Sequence, residues 1–268
     1  MIINPAFAGS NNMFSAGIQY RTQWSGLDGN PTTMNFNSNI ALAQNRVGLG
    51  IQVIQDQLGD AKNTEFNSVF AYKLKLNDAT FSFGMQFGFI RYSTDASLLN
   101  IYDKTDPIFQ NNISETKFNT GAGLLLKSDR YVIGLSVPRL LATTLSTGGQ
   151  DILLYNQNFY LFGSYVVFLN ENVRFKPSVL FRGTAGAPIS TDLNASFNFQ
   201  EYYTAGVFTR NFKTYGLLAQ VIVKSFRFGY VFEIPGSQDS SLNFTSHEVT
   251  LGISLALLKG HDTTVKTF

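Results

Sequence analysis

The chain has 268 residues, of which only 14% are charged, and its net charge is +2. Ordinary soluble domains carry roughly 25% charged residues, so a charge-rich disordered chain and a nucleic-acid binder with a basic stripe are both excluded. With no Cys and two His, disulfides, cysteine nucleophiles and thiolate metal sites are ruled out, and neither a metal nor a cofactor is expected.

The opening stretch, Ile2-Ile3-Asn4-Pro5-Ala6-Phe7-Ala8-Gly9-Ser10, is apolar without alternation. It is too short to cross a membrane as a helix, so it is expected to hide from water by packing against or inside a larger structure. Everything after it alternates. Period-two segments fall near 13–24, 32–42, 46–55, 63–76, 80–92, 116–126, 130–139, 157–168, 173–183, 190–199, 202–210, 214–223, 225–234 and 246–257. Clear cases are Phe81-Ser82-Phe83-Gly84-Met85-Gln86-Phe87-Gly88-Phe89 and Val249-Thr250-Leu251-Gly252-Ile253-Ser254-Leu255. Strict alternation of this kind marks strands with one apolar and one polar face. Soluble strands run about 5–6 residues and tilted membrane-spanning strands about 9–11, and the longer segments match the second class.

The connections alternate as well. Those at 43–45, 77–79, 127–129, 169–172, 200–201 and 224–225 are tiny, whereas those at 25–31, 56–62, 93–115, 140–156, 184–189 and 235–245 are longer; 211–213 is the short exception. An even strand count with tight turns on one rim and loops on the other is the pattern of bacterial outer-membrane barrels. The expected fold is therefore all-β: a transmembrane antiparallel β-barrel of about 14 strands in the outer membrane, with short periplasmic turns, longer extracellular loops and both termini periplasmic. A soluble β-sandwich would need shorter strands and more charge outside. Residues 1–12 form an N-terminal periplasmic segment, 13–258 the barrel and 259–268 a C-terminal tail in this reading.

Sorting by parity puts Arg21, Lys73, Lys75, Lys117, Arg174, Lys176, Arg182, Arg210 and Arg227 on the polar, lumen-facing side, with Glu65, Asp192 and Glu233. A charge facing lipid costs about 2–4 kcal/mol near the midplane, so their absence outside is required, but the excess of bases inside is not. It reads either as a lumen that attracts anions or as ordinary internal packing and solvation. Leu125, Leu180, Leu218, Ile222 and Phe208 share the inward parity and suggest a partly filled interior. Tyr20, Trp24, Tyr72, Tyr92, Tyr131, Tyr160, Tyr202, Tyr203 and Tyr215 cluster near strand ends, as in an interfacial aromatic girdle.

No catalytic constellation emerges. Ser246-His247-Glu248 are adjacent in a strand, where neighbours point to opposite faces, so they cannot form a triad, and no enzymatic activity is expected. The candidate contact residues lie in the two longest loops: Leu98, Leu99, Tyr102, Ile108 and Phe109 in one, Leu153 and Tyr155 in the other. Apolar groups of this size on a loop mark an interface or fold inward over the barrel mouth.

Asn4-Pro5-Ala6-Phe7-Ala8-Gly9, then Gln23-Trp24 closing the first strand, then Gly26-Leu27-Asp28-Gly29-Asn30-Pro31 together resemble the opening signature of the PorP/SprF family of Bacteroidota outer-membrane proteins. Lys117-Phe118-Asn119-Thr120-Gly121-Ala122-Gly123, Tyr131-Val132-Ile133-Gly134-Leu135-Ser136-Val137-Pro138-Arg139 and the closing His247-Glu248-Val249-Thr250-Leu251 extend the resemblance along nearly the whole chain. Members of that family carry a signal peptide and a short mature segment before the Asn-Pro-Ala run, so a trimmed start is expected here. Phe268 stands where many barrels place a closing aromatic, yet Gly260-His261-Asp262 separates it from the last alternating run. The resemblance implies a non-enzymatic barrel of the type IX secretion and gliding machinery that docks or anchors a secreted cell-surface adhesin through its C-terminal domain. Its implied partners are that adhesin, other type IX secretion components and outer-membrane lipid, with no nucleic acid. The alternative is an outer-membrane channel for small, anionic solutes.

Overall fold

The computed structural model describes residues 1–94, 113–147, 150–236 and 244–262. A short 3-10 turn at Pro5–Phe7 precedes the strands β1 (Phe14–Thr22), β2 (Thr32–Leu42), β3 (Val47–Leu58), β4 (Ala61–Lys75), β5 (Ala79–Thr94), β6 (Ile113–Ser128) and β7 (Tyr131–Val137). A hairpin, β8 (Thr143–Thr147) and β9 (Gln150–Tyr155), interrupts the wall. The wall resumes with β10 (Asn158–Tyr165), its continuation β11 (Val167–Phe168), β12 (Val173–Thr184), β13 (Ser190–Phe199), β14 (Tyr203–Arg210), β15 (Thr214–Val223), β16 (Phe226–Pro235) and β17 (Ser246–Leu255).

Each wall strand pairs antiparallel with its sequence neighbour; β1 pairs with β17, and β10 bridges β7 and β12. The sheet therefore closes on itself. With β10 and β11 taken as one strand and the separate β8–β9 hairpin set aside, the described wall has 14 strands. All 14 segments read from the alternation coincide with wall strands. The pattern that produced them is plain in β5: Phe83, Met85, Phe87 and Phe89 are 45–54% exposed on the outside, while Ser82 and Gln86, on the alternate parity, are 1–2% exposed inside. An outside this apolar belongs in lipid, and a closed ladder leaves no backbone group unpaired there.

Three details differ from the sequence reading. The connection expected at 56–62 is a two-residue turn, because β3 and β4 continue to Leu58 and Ala61 and Gly59 takes φ +55°. The stretch 140–156, expected as a loop, carries the β8–β9 hairpin, in which Thr147 pairs with Gln150 across Gly148-Gly149; two β-prone runs separated by Gly-Gly are a hairpin signal. Tyr92 and Tyr160 share the inward parity of Ile90 and Phe162, so they do not belong to an outer aromatic girdle; the Arg182 guanidinium sits over the Tyr160 ring at 5.9 Å.

Candidate functional site

The lumen is where side chains converge. Its short-turn half is filled by the N-terminal segment, which enters from the rim where β1 begins. Asn4 caps the turn at Pro5–Phe7: its Oδ1 accepts from the Ala6 amide at 2.9 Å, while its Nδ2 donates to the carbonyls of Leu124 on β6 (2.9 Å) and Leu135 on β7 (3.4 Å). Pro5 occupies a first-turn position where its missing N–H costs nothing. Ala6 packs with Leu125 and Val132, and Phe7 meets the edge of Phe162 at 6.3 Å. Ala8 packs with Val69 and Ala71.

The wall is shaped to receive this backbone. A Cβ on Gly84 would overlap the Ala6 amide, one on Gly48 the Ala8 carbonyl, and one on Gly123 the Asn4 side-chain oxygen. Gly9 takes φ +64° beside Gly48 and Ala41, and its amide donates to Asn39 Oδ1 at 3.0 Å. Two wall lysines secure the end of the segment. Lys73 Nζ donates to the Gly9 carbonyl and to Asn12 Oδ1, and Lys127 Nζ donates to the Ser10 carbonyl at 2.9 Å. Past the last strand, the chain returns to the same rim: Asp262 N donates to the Asn12 carbonyl at 3.1 Å, and His261 Nε2 lies 2.7 Å from the Ala41 carbonyl.

The long-loop half of the lumen carries a belt of ion pairs. Arg21 grips Glu233 with both terminal nitrogens (3.1 and 2.6 Å) and lies 3.7 Å from Glu248. Arg210 lies 3.9 Å from Glu233 and 3.1 Å from Asp192, which Arg182 approaches to 3.5 Å. On the opposite wall Arg139 pairs with Glu65 at 2.5 Å, and Gln86 Nε2 holds the Pro138 carbonyl at 3.0 Å. The chain after β7 therefore folds inward beneath the taller β4–β6 wall. The bases read from parity are lumenal, and most near this rim are matched by carboxylates. Glu248, left out of the parity sorting, belongs to the same belt.

Of the candidate contact residues, Leu98, Leu99, Tyr102, Ile108 and Phe109 lie outside the described residues. Leu153 and Tyr155 fall in β9, in register with Thr144 and Thr143. Ser246 and Glu248 face the lumen, whereas His247 lies on the other face, bonded to the Tyr230 hydroxyl at 2.7 Å and packed on Phe232, so the three do not meet. Among the described residues no group of three His, Cys, Asp or Glu side chains could hold a metal. The residues that organise the interior, Asn4 to Gly9 and the glycines beneath them, were not singled out as a site from sequence. Their signal was present as inward-parity glycines on strands that share one wall.

A model of the type IX secretion system membrane protein PorP/SprF family matches residues 1–253. No curated protein sequence matches at a significant level. Among solved structures, the chain is similar in fold to the CymD monoaromatic hydrocarbon channel (TM-score 0.60, 9% identity, covering 97% of this chain and 93% of that one). It is also similar to the toluene transporter TodX of Pseudomonas putida (TM-score 0.55, 10% identity, 95% and 93%). The outer membrane protein Omp33 of Acinetobacter baumannii matches at TM-score 0.50 and 7% identity, over 91% and 98%. At such identities the likeness establishes an outer-membrane barrel fold alone.

Proposed function

Because the chain belongs to the PorP/SprF family of type IX secretion system membrane proteins, we propose that it is a non-enzymatic outer-membrane barrel that docks or anchors a secreted adhesin through the adhesin's C-terminal domain. In this reading the short-turn rim, where the N-terminal segment and residues 258–262 meet, faces the periplasm, and the long-loop rim faces outward. The observation that supports it is the filled lumen. The N-terminal segment occupies the short-turn half and the inward fold of Pro138 to Leu141 covers part of the other, so the surfaces left for a partner are the rims. The strands that bound 93–115 and 140–156 end at the same rim, and in this reading the apolar residues of those two connections are the contact anchors, each worth about 2 kcal/mol or more at a hot spot.

Replacing Leu98, Tyr102 and Phe109 together with Ala tests this. The adhesin is expected to be released into the medium while barrel levels stay normal. Full surface retention would move the contact to the periplasmic rim and favour a role within the secretion machine. The second reading, a channel for small anionic solutes, is favoured by the basic short-turn half of the lumen and by the transport proteins that share the fold. Conductance of the purified barrel in a planar bilayer separates the two: steady anion-selective current supports the channel, and its absence supports the anchor.

A further inference from the structure

The wall has a notch beside β6. That strand pairs with β5 along its whole length, from Ser128 opposite Ala79 to Ile113 opposite Thr94. On its other side β7 accompanies it only from Lys127 to Ala122. Among the described residues the upper part of that edge has no strand partner. The Thr120 carbonyl points to this side, because it accepts from the Leu140 amide at 2.8 Å. Alternate residues of a strand aim their backbone groups the same way, so the amides and carbonyls of Phe118, Thr116 and Ser114 line the bare edge. A row of this kind is a template for another strand.

The β8–β9 hairpin has the register and length to fill it. β7 leaves the ladder at Pro138, which has no N–H to give. Val137 lies opposite Ala122, so a regular ladder would set Arg139 opposite Thr120. Leu140 takes that place instead, one residue late, as after a β-bulge. Continued antiparallel from there, Ala142 faces Phe118, Thr144 faces Thr116 and Ser146 faces Ser114. β8 (Thr143–Thr147) then spans residues 117 to 113, and its last residue falls opposite the first residue of β6. β8 and β9 pair with each other and join the wall only through 138–142 and 156–157, so they can move as one body. In the arrangement seen, lumenal side chains draw the first of these links inward. Gln86 Nε2 donates to the Pro138 carbonyl at 3.0 Å, Arg139 pairs with Glu65 at 2.5 Å, and Asn119 Nδ2 donates to the Leu141 carbonyl at 2.8 Å. Glu65, Gln86 and Asn119 are all buried.

We propose that the β8–β9 hairpin is a hinged flap of the barrel. Held by Glu65, Gln86 and Asn119, its stem crosses the long-loop mouth and the hairpin stays off the wall. Released, it swings upright, β8 adds to the edge of β6 with Thr144 opposite Thr116, and the mouth opens. The edge is thus reserved for this chain's own β8, whose ends match the bare stretch in the register that Leu140 sets. This inference stands independently of the adhesin reading.

The test uses the purified, folded chain in detergent. The chain has no Cys, so Thr116→Cys with Thr144→Cys creates a single candidate disulfide. Residues paired across an antiparallel ladder have Cα atoms about 5.5 Å or less apart, within disulfide range. Ser114→Cys with Thr144→Cys is the control one diagonal away, at about 7–8 Å, too far to bridge. Mild oxidation is followed by unreduced gel mobility. The 116–144 pair should close, and the 114–144 pair should close at least about tenfold more slowly, as the distances require. Adding Glu65→Gln should speed closure of the 116–144 pair by at least about tenfold, since it removes one partner of a buried ion pair. Gln86→Leu, which frees the Pro138 carbonyl, should speed it as well and serves if Glu65→Gln does not fold. Absence of 116–144 closure in the folded barrel, equal closure of the two pairs, or a rate that the folded latch variants leave unchanged would overturn the proposal. A disulfide joining two chains instead would also overturn it, by assigning the edge to a second copy.

Discussion

Gly84→Val probes whether the N-terminal segment is seated in the wall or merely resting in the lumen. The Cβ added at position 84 would lie 2.5 Å from Ala6 Cα and closer still to the Ala6 amide and the Pro5 carbonyl carbon. Ordinary carbon contacts lie at about 3.5–4.0 Å, so the overlap is about 1 Å against backbone, which cannot rotate away as a side chain would. Overpacking of this kind costs about 1–3 kcal/mol. The segment is held by Asn4 bridging two strands and by two lysine-to-carbonyl bonds. A penalty of about 2–3 kcal/mol shifts the seated-to-released ratio by roughly 30- to 150-fold. The chain contains no Cys, so Leu125→Cys places a single thiol on the wall beneath Ala6, where the native side chain is 1% exposed. Modification by a polar maleimide should be slow in this background and accelerate by up to the same factor when Gly84→Val is added. Equal rates in the two folded proteins would refute the seating of Ala6 against Gly84.

Three further outcomes follow from the same geometry. Glu233→Gln removes the carboxylate that Arg21 grips with two bonds and that Arg210 approaches; with the Glu233 side chain 7% and Arg21 18% exposed, the loss should be about 2 kcal/mol after discounting for lumenal water, read as a lower unfolding midpoint by gel mobility. Phe87→Arg places a charge on the lipid face of β5 and should cost about 2–4 kcal/mol if position 87 lies near the midplane, measured as reduced folding yield into vesicles. Gly148→Val should leave barrel folding unchanged, because the β8–β9 hairpin lies outside the closed wall; a drop in folding yield would show that the hairpin is part of the wall's folding unit.

The wall was legible because a membrane barrel repeats one instruction fourteen times: large apolar out, small or polar in, over enough residues to cross the bilayer. Where the reading slipped, alternation was not the deciding force. Gly59-Asp60 closes a tight turn on the rim that, apart from the short 211–213 connection, was read as carrying loops, and the β8–β9 hairpin is held by local pairing apart from the closed sheet. The ion pairs were half legible. Parity told that Arg21 and Glu233 both face inward, but they sit on strands separated by β17, and only the tilt of the closed sheet decides that they meet. Arg139 was harder still, since it reaches Glu65 only because the chain leaves the wall at Pro138 and turns across the lumen.

The N-terminal motif shows why a sequence signature can be recognised without its physics being read. Asn4, Pro5, Ala6, Ala8 and Gly9 each answer a different demand: a side chain that caps its own turn while bridging two strands, a residue with no N–H at the first turn, two methyl-sized groups over glycine rungs, and a left-handed backbone at the exit. None of these demands is visible in the segment alone, because the partners are Gly48, Gly84 and Gly123, which the sequence scatters over about 75 residues of three separate strands. Taken singly, each glycine reads as a site of close backbone approach; closure of the barrel brings them around one segment. Glycine rungs and motif therefore form one unit, and a substitution in either half should have the same consequence, exposure of the wall at Leu125.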